Sequence, residues 1–112
     1  MSAEQDVEAI LAAGGEADEV LRAVVAALGS RYPWAALRFN EEGDLVLGPA
    51  TGVEGGPRLV QEVVYNGERV GQLEVDGPDL GETDAALLAR IADRIALYTL
   101  LGWDTGGEAW EP

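Results

Sequence analysis

Asp76, Asp79, Glu82 and Asp84 crowd one short stretch of this chain, and such a run of carboxylates could hold a hard cation. Calcium takes about six to eight oxygen ligands, usually from a D-x-D-x-D-G loop closed by a distal Glu. That loop is absent, and a strand end followed by a helix start accounts for the same residues. No metal is expected there, nor at Asp104, Glu108 and Glu111 near the C-terminus. The glycine-rich GVEGGP at 52–57 has no GK[ST] after it and no strand-to-helix setting, so it reads as a loop and not a phosphate cradle. With no His, Cys or Lys, a nucleophile would have to be Ser2, Ser30 or a threonine without a conventional base. Two carboxylates can do acid–base work only when held across a substrate, and 21 acidic residues make some close pair inevitable. No catalytic residue is assigned and no enzyme is expected.

The same composition limits the partners. Twenty-one acids against seven basic residues, all arginine, leave a net charge of −14. Phosphate backbones and anionic membrane surfaces need a basic footprint, so neither nucleic acid nor membrane is an expected partner. A cationic partner is compatible with that charge. At 112 residues the chain is long enough for one core without staples. Without cysteine there are no disulfides, and the N-terminus lacks a basic signal-like region, so a cytoplasmic address is the default expectation.

Positioning elements follow from periodicity. Ser2-Ala3-Glu4-Gln5 fits a capping box, and Val7, Ile10 and Leu11 follow at helical spacing until Gly14-Gly15. A second helix is expected over Ala17–Leu28, ended by Gly29 with Pro33 beyond it. Trp34–Asn40 and Asp44–Gly48 read as strands joined by a tight turn through Glu41-Glu42-Gly43, and Pro49–Pro57 as a loop. Leu59–Tyr65 and Arg69–Asp76 flank Asn66-Gly67, a strong hairpin signal because both turn residues need φ > 0. Thr83 is the expected N-cap of a last helix running to Leu101, closed by Gly102. One domain over 1–101 and an acidic, Gly- and Trp-containing tail over 102–112 complete the reading. The order ααββββα suggests an α+β fold with helices mainly on one face of an antiparallel sheet.

The segment VVYNGERVGQLEVDGPDLGETDAALLARIADRIAL resembles the C-terminal half of a GAF domain, with Gly67, Gly71, Leu73 and the helix from Thr83 at the family's places. The start, LRAVVAALGSRYPWAALRFNEEGDLVLGPATG, is similar to the free methionine sulfoxide reductase branch of that family. The resemblance implies a GAF-like four-stranded antiparallel sheet in the order 2-1-4-3, with strand one beside strand four. It also implies two departures. The reductase branch works through cysteines, which this chain lacks. The segment that usually closes the family's ligand pocket is replaced by the Pro49–Pro57 loop, so the chain looks like a truncated GAF domain.

On that sheet Leu37, Phe39, Leu73 and Val75 are expected beneath the helices. Gln61, Gln72 and Glu74 are expected on the open face with Val63, Tyr65 and Val70, joined by Trp34, Ala36 and Arg38. Trp34, Arg38, Gln61, Gln72 and Glu74 are therefore the candidate ligand-binding residues, with Arg38 pairing Glu74 across strands. In the last helix Leu88, Ile91, Ile95 and Tyr98 form the core stripe, whereas Leu97 and Leu101 lie beside Arg90 and Arg94. GAF domains often dimerise through terminal helices, so Val7, Ile10, Leu11, Leu97 and Leu101 are the candidate dimer interface. The expected function is a noncatalytic regulatory or protein-interaction module, homodimeric and without cofactor. The alternative is a small-molecule sensor with its ligand on the open sheet face.

Overall fold

A computed structural model describes residues 3–102, so Ser2 of the capping box and the tail from 103 lie outside the described residues. Seven elements follow in chain order: α1 (Ala3–Ala13), α2 (Ala17–Gly29), β1 (Trp34–Glu41), β2 (Asp44–Gly52), β3 (Arg58–Tyr65), β4 (Glu68–Asp76) and α3 (Glu82–Gly102). The sheet is antiparallel in the order β2-β1-β4-β3. Both hairpins turn through residues with positive φ, Glu42-Gly43 and Asn66-Gly67, the backbone twist that matches the flanking strands.

One face of the sheet carries the core. Ala35, Leu37, Phe39, Val63, Leu73 and Val75 pack there against Val20, Leu21, Val24, Val25 and Leu28 of α2 and Leu88, Ile91 and Ile95 of α3. The short α1, marginal by itself, buries Val7 in this core, seats Ile10 and Leu11 against it, and is tied to α3 by a 2.9 Å Glu8–Arg94 ion pair. Thr99, one turn beyond Ile95, is fully buried and satisfies its hydroxyl on the Ile95 carbonyl. Gly71 lies below it, where a Cβ would strike the Arg38 carbonyl and the Thr99 methyl. The sheet and helix can meet closely here only because position 71 has no side chain.

Three features differ in substance from the sequence expectation. β2 continues to Gly52 because an irregularity opposite Leu37 absorbs Gly48-Pro49 and lets pairing resume at Ala36↔Ala50. Proline is tolerated there because β2 is an edge strand. The loop thus shrinks to 53–57. Helix α3 begins one residue before Thr83, and Asp84, not Thr83, accepts a hydrogen bond from the Gly81 N–H at 3.0 Å. That is the reaching-back half of a capping box, which leaves Thr83 inside the first turn.

The third difference concerns register. Tyr65↔Glu68 and Val64↔Arg69 continue the turn, but Val63 pairs with Gly71, so Val70 is an extra residue on β4. This bulge moves the rest of β3 by one position, and one position flips every side chain to the other face. Gln61 therefore lies opposite Leu73 on the helix-side face, and Val63 enters the core. Tyr65 and Val70 also pack against the core and not on the open face. The physical reason is charge. An unbroken register would have carried Arg58, Val60 and Glu62 beneath α3.

Candidate functional site

The open face of the sheet is ordered in rows running from β2 to β3. Gly52, Trp34, Asp76 and Arg58 form the first, and Ala50, Ala36, Glu74 and Val60 the second. Leu47, Arg38, Gln72 and Glu62 form the third. Pairing on both sides of β1 and β4 thus gathers two carboxylates, two arginines, an amide and an indole in the middle of one face.

Their contacts are specific. Arg58 is bidentate on Asp76, with Nε to Oδ1 at 2.6 Å and Nη2 to Oδ2 at 3.0 Å. Its guanidinium lies over the Trp34 ring, 4.2 Å from the centroid, and reaches Glu54 at 3.1 Å and Glu74 at 3.4 Å. Glu74 also accepts from Arg38 Nε at 2.8 Å and Gln72 Nε2 at 2.6 Å. Arg38 stands beside Gln72 in the register, so its bond to Glu74 runs diagonally. Finally, the Gly55 N–H donates to Asp76 Oδ2 at 2.8 Å, which pins the 53–57 loop to the sheet.

Burial gives the network its character. Asp76 and Glu74 are buried, with 1% and 3% of their surface exposed, whereas the Arg58 and Arg38 side chains keep 31% and 25%. The arginines roof the acids. The Arg58 hydrogen bonds hold the Asp76 carboxyl below its ordinary value, helped by the Gly55 N–H and opposed by burial. Asp76 in turn raises the Arg58 guanidinium above its ordinary value. No described buried side-chain N or O atom lacks a hydrogen-bond partner.

Of the candidate ligand residues, Trp34, Arg38, Gln72 and Glu74 come together on this face, and Gln61 is left on the other by the bulge. Sequence reasoning missed Arg58 and Asp76. Arg58 stands outside the expected strand Leu59–Tyr65, and Asp76 reads there only as a strand end. Their signal is a charge at each far end of the Asn66-Gly67 hairpin, which becomes a pair only once the bulge is counted.

Elsewhere, an open cavity of about 280 Å³ lies between the start of β1 and the first turn of α3, lined by Arg31, Tyr32, Pro33, Gly77, Leu80 and Asp84 among others. The Tyr32 hydroxyl donates to Asp84 at 2.7 Å and accepts from Arg31 Nε at 3.2 Å. Burial raises the Tyr32 phenol, and that hydrogen bond lowers the Asp84 carboxyl. Asp84 already caps the helix, so its charge opposes an incoming anion.

The candidate interface residues divide. Val7 is a core residue and not surface, because α1 packs against α2 and α3. Ile10 and Leu11 are half-buried against the same core. Leu97 and Leu101 are exposed, as is Leu100 between them. Among the described residues no helix is long and apolar enough to cross a membrane.

The arrangement of sheet and helices is that of a GAF-like fold. The GAF domain of a phosphoenolpyruvate-protein phosphotransferase from Coxiella burnetii superposes with a TM-score of 0.78 at 13% identity, over 95% of each chain. The free methionine-R-sulfoxide reductase from Neisseria meningitidis, solved with its substrate, gives 0.76 at 17% identity over 91% of this chain and 89% of that one. An Acinetobacter phosphotransferase GAF domain gives 0.73 at 11% identity over 94% of both. No protein-family model and no curated protein matches the sequence. These identities establish the fold. This chain has no cysteine, so it has no residue for the thiol chemistry associated with the reductase branch.

Proposed function

We propose that the chain is a noncatalytic GAF-like regulatory or protein-interaction module that acts as a homodimer through its terminal helices. The observation that carries this reading is the sealing of the sheet face by Arg58. A guanidinium already occupies the Trp34 ring and both Asp76 oxygens, so the polar groups that could hold a small ligand are spent on one another. A small-molecule sensor would have to dislodge Arg58 before anything could stack on Trp34. Function then falls to the surface.

Leu97, Leu100 and Leu101 form an exposed apolar patch at the end of α3, beside the Glu8–Arg94 pair that links it to α1. Packing two such ends about a two-fold axis would have to bury ~1,000 Å² in total to be stable. With a charge of −14 on each chain, association should tighten as salt screens repulsion. Sedimentation at rising salt tests this. A dimer that Leu97→Glu/Leu101→Glu converts to a folded monomer supports the proposal. A wild-type monomer at high micromolar concentration and high salt refutes the dimer.

A further inference from the structure

The sheet has two edges, and they are treated differently. On β2 the edge is blunted by Pro49, which has no N–H, by Gly48 and by the irregularity at Leu37. The other edge, β3, runs Arg58–Tyr65 with neither Pro nor Gly. Its bulge places the extra residue on β4, so β3 itself has no insertion. Val60 and Val64 are exposed on the open face, and between them Glu62 keeps 60% of its side-chain surface. An edge strand offers its outward N–H and C=O groups to another strand, with alternate side chains setting the choice of partner.

Charge decides which strand. All seven arginines have partners within the chain, through Asp84, Glu74, Asp76, Glu62 and Glu8 or through other contacts. The net charge of −14 is therefore borne by a surface without a spare cation. Glu62 pairs with Arg69 at a loose 3.9 Å and, with 60% of its side chain exposed, can accept a second cation. A second copy would bring another −14 to the same edge.

We propose that the β3 edge receives an extended segment of a cationic protein partner, with apolar residues opposite Val60 and Val64 and a Lys or Arg opposite Glu62. This deepens the interaction-module reading and rests on it, but uses a surface other than the α3 leucines. The matching pattern is apolar-x-basic-x-apolar, and it reads the same in either strand direction.

The test is an NMR titration of the full chain with the capped heptapeptide Thr-Val-Thr-Lys-Thr-Val-Thr and its Lys-to-Glu counterpart. The Lys peptide should perturb and protect β3 amides and leave β2 amides unchanged. It should bind about ten-fold tighter than the Glu peptide, since an opposite-charge cross-strand pair replaces a like-charge one. Glu62→Arg, a surface change that leaves the core intact, should reverse the preference. Absence of β3 shifts, equal binding of both peptides, or protection of β3 that grows with protein concentration alone would each overturn the proposal. The last outcome would assign the edge to a second copy. Sedimentation of Leu97→Glu/Leu101→Glu reads the helix interface separately, so either surface can fail without the other.

Discussion

Replacing Arg58 with alanine removes one guanidinium that serves three buried or half-buried groups at once. Asp76 would keep only the Gly55 N–H, Glu74 would keep Arg38 and Gln72, and Trp34 would lose the cation on its face. Breaking a buried ion pair from one side costs about 3–5 kcal/mol. With 31% of the Arg58 side chain exposed, the low end applies, about 3 kcal/mol, of which the indole contact supplies about 0.5–1 kcal/mol. For a domain of this size that corresponds to a fall in Tm of about 12 °C.

The pH dependence makes the test sharper. In the wild type Asp76 is held below its ordinary value, so the unfolded chain takes up the proton first as pH falls. The stabilisation is complete above the unfolded value of about 3.9 and is lost as pH drops through the lower folded value. In Arg58→Ala the buried carboxyl has lost its main hydrogen-bonding partner, so burial pushes its pKa upward and acid relieves the variant. Urea unfolding at pH 7 and pH 3 should show the gap between the two proteins narrowing from about 3 to about 1 kcal/mol, the remainder being packing on Trp34. Arg58→Ala/Asp76→Asn should be less destabilised than the sum of its single changes. A gap that ignores pH, or one below about 1 kcal/mol at pH 7, would refute the view that Arg58 neutralises a buried acid.

Two further substitutions probe how the elements are joined. Gly71→Ala should destabilise by about 1–3 kcal/mol in thermal melts, because its methyl would meet the Arg38 carbonyl and the Thr99 methyl, and Thr99→Ser should recover part of the loss. Tyr32→Phe should cost about 1.5 kcal/mol by removing the 2.7 Å bond to Asp84, and the Asp84 carboxyl, followed by NMR, should titrate at higher pH than in the wild type.

Much of the scaffold is legible in local chemistry. Asn66-Gly67 demands a tight turn, the Val20, Leu21, Val24, Val25 and Leu28 stripe demands a buried helix face, and Leu73 and Val75 alternate with polar neighbours as a half-buried strand must. Leu88, Ile91 and Ile95 likewise mark the core side of α3. Thr99 was not legible, since a hydroxyl looks polar until its own helix carbonyl satisfies it. Val7 was misread as surface because a short amphipathic helix does not say whether its apolar side meets its own domain or another.

Composition by itself removed the thiol and imidazole chemistries, and local periodicity determined which segments are helix and which are strand. Those properties depend on neighbours a few residues apart, so the linear chain contains them. The site belongs to the other kind. β3 reads nearly as well with Leu59, Gln61 and Val63 inward as with Val60 and Val64 inward, and only packing beneath α3 makes the second choice bury Arg58 and Glu62. The fold avoids that cost by inserting Val70 as a bulge, and the shift of one residue sets Arg58 opposite Asp76 in the row that contains Trp34. Which face a strand buries is a competition between desolvating charge and filling a core, and it is decided only when the helices are in place.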